Sequence, residues 1–171
     1  MRITVLNGSP RKANTSAMVD AFVEGAQAAG HEVEALHVGK MKIAGCLGCE
    51  YCHGKGEGQC IQKDDWQQVQ KAYEDCDMVV FASPIYYFTL TAQMEAAIQR
   101  IYCIDHPPKA TKAAMLLSSA SPGVYEGPMG QYKGYLAYTG LEDAGVITAV
   151  GDENQSEAKL AEIREFAKNL Q

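Results

Sequence analysis

Three short stretches of this chain carry side chains suited to chemistry as well as to packing. The first, GSPRKANTS from Gly8 to Ser16, follows a hydrophobic strand and leads into a helix expected from near Thr15. Ser9, Asn14, Thr15 and Ser16 supply hydroxyl and amide groups, Arg11 and Lys12 supply positive charge, and the helix start offers unpaired N–H groups at its positive end. That combination suits a phosphate. It is neither a Gly-x-Gly-x-x-Gly dinucleotide turn nor a Walker A loop, and the plainer alternative is a strand–helix turn with a Ser or Thr cap. The second stretch places Cys46, Cys49, Cys52 and Cys60 in one glycine-rich loop. Thiols so spaced can converge on an iron–sulfur cluster, hold zinc, or remain free or pair occasionally as a disulfide. The usual ferredoxin proline after the last cysteine is replaced by Ile61, and zinc motifs usually pair two Cys-x2-Cys units across a longer gap. The third is Pro84-Ile85-Tyr86-Tyr87-Phe88, where three aromatics and a proline follow an apolar strand. Consecutive aromatics at that place suit a stacked planar ligand, the alternative being a plug that closes the loop onto the next helix.

The totals limit what these stretches serve. A chain of 171 residues, 47% hydrophobic and 21% charged, fits a single domain over 1–171 with its own core. Its net charge of −6 argues against nucleic acid and anionic membranes as partners. No apolar run approaches a membrane span, and a strand that begins at once leaves no room for a signal peptide. The expected location is the cytoplasm, where structural disulfides are disfavoured. Cys76, beside an apolar strand, reads as a small buried hydrophobe. Cys103 has no assigned role, and His53 is expected to be solvated.

The elements that must position these residues follow from periodicity. A strand over RITVLN precedes a helix to Gly30, whose Met18, Phe22, Ala26 and Ala29 share a face. A second strand spans Glu32 to Val38, and Gly39 to Lys63 is loop. Asp64 and Asp65 are expected to open a helix carrying Trp66, Val69 and Tyr73. Asp77–Ser83 and Lys112–Ser118 are continuous apolar runs, the pattern of parallel strands covered on both faces. A helix from about Ala92 to Tyr102 lies between them. After a loop from Ser119 to Gly130, a tyrosine-rich helix is expected to end near Gly145. Val146–Val150 is the last strand, and a final helix runs from Ser156, its N-cap, to Leu170. Strands alternating with helices define an α/β domain with a parallel sheet. The expected architecture is a flavodoxin-like three-layer sandwich of five strands in the order 2-1-3-4-5, with ligands at the carboxyl ends of the strands.

In order along most of the chain, GSPRKANTS, the Cys-x-Gly-Cys-x-x-Cys loop ending in Cys60 and Asp64-Asp65, and FASPIYYFTLTAQMEAAIQR resemble the NADPH-dependent FMN reductase family. Within it they look like the branch that includes the iron–sulfur flavoproteins. The resemblance implies that Ser9, Arg11, Asn14, Thr15 and Ser16 hold the FMN phosphate. It implies that Pro84, Ile85, Tyr86, Tyr87 and Phe88 hold the isoalloxazine ring, much of it through backbone groups. Ser119, Ser121 and Gly123 correspond to a third flavin-side loop, and Cys46, Cys49, Cys52 and Cys60 to the ligands of a [4Fe–4S] cluster in the iron–sulfur branch.

The expected function is transfer of reducing equivalents from NAD(P)H through FMN to a quinone, flavin or other small acceptor. The hydride chemistry belongs to the flavin, so no catalytic side chain is assigned. An electron carrier with a [4Fe–4S] cluster, reduced by ferredoxin, is the alternative, and a redox sensor built on the four thiols is a third reading. Likeness to the family also implies a homodimer or homotetramer.

Overall fold

A computed structural model describes all residues, 1–171. Five parallel strands, β1 (Arg2–Asn7), β2 (Glu32–Leu36), β3 (Met78–Pro84), β4 (Lys112–Ser119) and β5 (Glu142–Val150), form one sheet in the order β2-β1-β3-β4-β5. The helices are α1 (Asn14–Ala28), α2 (Trp66–Asp75), α3 (Ala92–Arg100), α4 (Glu126–Thr139) and α5 (Glu157–Lys168). This is the flavodoxin-like sandwich.

Strand pleating divides the core between the two faces. Ile3, Val5, Met78, Val80, Ala114 and Leu116 face α1 and α5, where they meet Met18, Phe22 and Ile163. Leu6, Val79, Phe81, Met115 and Leu117 face α2, α3 and α4 and pack on Trp66, Tyr73, Met94 and Tyr132. Every residue of β3 is buried, as a central parallel strand requires.

One threonine joins the first two ligand-side loops. Thr91 caps α3 by accepting from Met94 N at 3.2 Å, and its hydroxyl donates to Gly8 O at 2.7 Å. Its own N–H donates to Ser83 Oγ at 3.1 Å. Thr91→Val keeps the shape but loses the cap and leaves the buried Gly8 carbonyl unpaired. The expected loss is about 1–2 kcal/mol, read as a lower midpoint in urea unfolding with an unchanged slope.

Element ends moved where local chemistry overrode periodicity. The tyrosine-rich helix stops at Thr139 rather than near Gly145, because Gly140 adopts the left-handed conformation, φ 72°, that terminates helices. β5 therefore begins at Glu142, not Val146, and a register shift opposite Ala113 and Ala114 accommodates its first residues. α4 begins at Glu126, inside the stretch expected to be loop, with Pro128 tolerated in its first turn. β2 ends at Leu36, short of Val38, where a 3₁₀ turn over Val38–Lys40 begins. Asp64 and Asp65 precede α2, whose first residue is Trp66.

Candidate functional site

The loops after β1, β3 and β4 meet at the carboxyl edge of the sheet around a cavity of about 310 Å³. Asn7, at the end of β1, organises the first loop. Its side chain donates to Ser16 Oγ at 3.2 Å and accepts from Ser9 N at 3.0 Å. Ser9 Oγ donates to Arg11 O at 2.7 Å, tightening the turn. α1 then starts at Asn14 with Ala13 as an N-cap that offers no side-chain acceptor. The first helical bond is donated by Ala17 N to Ala13 O, so the N–H groups of Asn14, Thr15 and Ser16 remain available at the positive end of the helix. With the exposed Arg11 beside them, these donors fit a phosphate.

Ser9, Arg11, Asn14, Thr15, Pro84, Ile85, Tyr86 and Ser119 line this cavity, so all three loops contribute. Ser16 lies behind it, donating to Arg11 O at 3.3 Å. Tyr87, Phe88, Ser121 and Gly123 lie outside the lining. Ser121 O accepts from Ser119 Oγ at 2.8 Å and so shapes the third loop. Tyr86 and Thr89 exchange backbone hydrogen bonds across a tight turn, and the two central residues, Tyr87 and Phe88, have φ of 51° and 69°. Bulky residues there are strained, and the turn leaves Tyr87 93% and Phe88 57% exposed. They do not plug the loop onto α3.

The 3₁₀ turn after β5 forms a wall that periodicity does not reveal, contributing Gly151 and Asn154. Asn154 is buried, its Nδ2 donating to Ser119 O at 2.9 Å and to Gly151 O at 2.7 Å, while Oδ1 has no partner. Gln155 Nε2 reaches Asn14 Oδ1 at 2.6 Å, tying this wall to the first loop. Beneath the cavity, Thr15 Oγ1 and Ser118 Oγ share a hydrogen bond of 2.7 Å. The unpaired helix amides, Arg11 and the buried unpaired acceptor suit a phosphorylated polar ligand carrying donors of its own, and FMN fits that description.

The cysteine loop lies against α2, α3 and the 3₁₀ turn that follows α3. Cys46, Cys49, Cys52, Cys60 and Cys103 line one depression with Arg100 and Tyr102. All are free thiols, Cys46 and Cys49 exposed and Cys103 buried. Burial pushes the Cys103 thiol up to about 11, outweighing the Trp66 indole that donates to its sulfur at 3.3 Å. Burial also raises Cys52, and Cys60 and Cys46 add to the rise. Soft thiol donors of this number fit an iron–sulfur group in kind. As folded they stand apart: no three His, Cys, Asp or Glu side chains form a metal-holding group, and the depression encloses about 20 Å³. His53 is exposed, its Nε2 lying 2.9 Å from Tyr102 O.

A three-layer α/β domain with a mononucleotide-sized cavity at its switch point is a flavodoxin-like flavoprotein scaffold. The chain belongs to the NADPH-dependent FMN reductase family, whose model matches residues 1–140, and is thereby an FMN-dependent oxidoreductase. An iron-sulfur flavoprotein of Archaeoglobus fulgidus is 34% identical over 168 residues, an alignment covering 92% of this chain and 76% of that protein. Matches to further iron-sulfur flavoproteins span about half of those proteins' length. In structure, the chain is similar to the NAD(P)H:quinone oxidoreductase of Methanothermobacter marburgensis (TM-score 0.71, 19% identity, 100% of this chain and 96% of that one). It is also similar to an azoreductase of Bacillus anthracis (TM-score 0.74, 14% identity, 99% and 100%). No helix is long and apolar enough to cross a membrane.

Proposed function

We propose that this chain binds FMN in the cavity between the loops after β1, β3 and β4 and passes reducing equivalents from NAD(P)H to a quinone, flavin or other small acceptor. The observation that carries the reading is the set of unpaired N–H groups at Asn14, Thr15 and Ser16 beside Arg11, at one end of a cavity of about 310 Å³. These groups hold the phosphate, assisted by the loop geometry that Ser9 enforces. Tyr86, Ile85 and Pro84 form the wall against which the ring lies, and the strained turn at Tyr87 and Phe88 presents backbone groups beside it. Ser119 lines the opposite side. Bound FMN supplies hydride acceptance and electron release. The protein's part is to orient the ring and leave one face open to donor and acceptor, and no side chain is assigned a proton transfer.

The test is a fluorescence titration with FMN followed by NADPH and NADH oxidation with menadione or ferricyanide. Saturable one-to-one quenching and turnover above that of free FMN support the reading, and turnover no faster than free FMN rejects it. Arg11→Gln is expected to weaken FMN by about tenfold through loss of a charged phosphate contact, with little effect on riboflavin.

A second reading is favoured by the name shared by the curated relatives and by the thiols round one depression. In it, Cys46, Cys49, Cys52 and Cys60 hold a [4Fe–4S] cluster, and the protein carries electrons from a partner such as ferredoxin to FMN. Iron and sulfide assays on protein purified without oxygen separate the readings: about four irons per chain support the carrier, and flavin without iron supports the reductase alone. Under either reading the exposed Tyr87 and Phe88 suit burial in a homodimer or homotetramer in the cytoplasm, and a monomer in sedimentation with full FMN affinity rejects that assembly.

A further inference from the structure

The neck of the cysteine loop is closed by protein groups alone. Lys42 and Asp65 exchange hydrogen bonds, Lys42 N to Asp65 Oδ2 at 2.7 Å and Asp65 N to Lys42 O at 3.0 Å. One step inward, Asp64 Oδ2 accepts from Ala44 N at 3.1 Å, and Gln62 Nε2 donates to Gly45 O at 3.0 Å. Arg100 spans this neck from α3. Its Nη1 donates to Asp64 Oδ2 at 2.8 Å and to Ala44 O at 3.0 Å, and its Nη2 to Asp64 Oδ1 at 3.2 Å. The guanidinium therefore grips the chain on both sides of the four cysteines at once.

Two further observations set Arg100 apart from a structural ion pair. The residue is 1% exposed, yet its Nε is buried with no hydrogen-bond partner. The same residue lines the depression round which Cys46, Cys49, Cys52, Cys60 and Cys103 stand. A buried N–H without an acceptor is uncommon, and five of the eleven residues round this depression are cysteines, beside the oxygen acceptors of Glu50, Gln62 and Tyr102.

We propose that Arg100 is the positioning residue of the cysteine loop: its fork holds the neck closed before any metal binds, and its spare Nε–H donates to a cysteine sulfur once the thiols gather as thiolates. The second half rests on the iron–sulfur reading above. Hydrogen bonds and positive charge at ligating sulfurs favour the reduced, more negative state of an iron–sulfur group and raise its potential. Lysine retains the charge but loses the planar fork that serves Asp64, Ala44 and a sulfur together. A loop closed in this way is ordered without metal, unlike small metal domains whose folding free energy is the binding free energy of the ion.

The experiment compares wild type, Arg100→Lys and Asp64→Asn, each loaded with FMN. Hydrogen exchange is followed over residues 44–62 without metal, and iron content and midpoint potential are measured after anaerobic reconstitution with iron and sulfide. FMN affinity reports folding, since Arg100 does not line the FMN cavity. The expected result is slow exchange in wild type, at least tenfold faster exchange in both variants, and a lower midpoint potential in Arg100→Lys at unchanged FMN affinity. Wild-type exchange and potential in Arg100→Lys overturn the proposal. Should Arg100→Lys fail to bind FMN, Asp64→Asn decides the neck by the same exchange readout, wild-type protection overturning it. Absence of iron in reconstituted wild type overturns the sulfur-donor half together with the iron–sulfur reading, and the exchange comparison still decides the positioning half.

Discussion

Gly39→Ala is expected to weaken FMN binding and the fold together. A Cβ on Gly39 would stand 2.1 Å from Ser9 O and 2.7 Å from Gly8 O, well inside van der Waals contact. Both are backbone atoms of the first ligand loop, so neither can rotate away as a side-chain tip would. The contact is reinforced by His37, whose Nε2 lies 2.6 Å from Ser9 O. Relief therefore requires the loop after β1 to move away from the 3₁₀ turn over Val38–Lys40. That displaces Ser9 and Arg11 relative to the helix amides they accompany. Overpacking of this kind costs about 3 kcal/mol, and FMN affinity is expected to fall on the order of tenfold or more, each decade being about 1.4 kcal/mol. Thermal unfolding and an FMN titration on the same sample check it. Wild-type values for both would mean that the two segments slide freely past one another.

Asp64→Ala is expected to be the most damaging single change at the cysteine loop. Arg100 is 1% exposed and Asp64 15% at the side chain, and the guanidinium lies 5.8 Å from the Trp66 ring centroid. Removing the carboxylate strands a buried cation and frees the N–H groups of Ala44 and Trp66, which it also serves. Breaking one side of a buried pair costs about 3–5 kcal/mol. Acid does the same reversibly. Burial by itself raises the Asp64 carboxyl, but the Arg100 fork and the two backbone donors outweigh it and hold the carboxyl below its ordinary 3.8. The folded value is thus the lower one. The stabilisation is complete above the unfolded carboxylate range and is lost as pH falls through the folded value. Unfolding midpoints measured downward from pH 6 are expected to show wild type losing stability steeply below about pH 4. Asp64→Ala, already destabilised, should have a shallower slope there.

Much of the fold was legible because parallel strands covered on both faces are written as unbroken apolar runs. Met78–Pro84 and Lys112–Ser119 are of that kind, and both pair in the central sheet as expected. The loops after β1, β3 and β4 were legible for a related reason: the carboxyl edge of such a sheet is where hydroxyls, amides, charge and aromatics have no packing duty. The end of α4 was less so. Gly140 and Gly145 are equally good stops in the sequence, and the choice between them depends on β5 finding its register beside β4.

What the sequence determined by itself, then, was the alternation of elements, the sheet order and three ligand-side loops, because each is a local pattern of polarity, period and turn chemistry. Only the tertiary structure decided which residues meet. Asn154 reaches the cavity from beyond the last strand, through bonds to Ser119 and Gly151. Arg100, one of two charged residues on α3, becomes the buried bolt of a loop whose neck residue Ala44 lies 56 residues earlier, because α3 packs against that neck. The side chains of Tyr87 and Phe88, residues expected to meet the ring largely through backbone groups, are turned outward by a tight turn with two left-handed residues. Contacts between distant segments depend on how whole elements pack, and no short window of sequence carries that information.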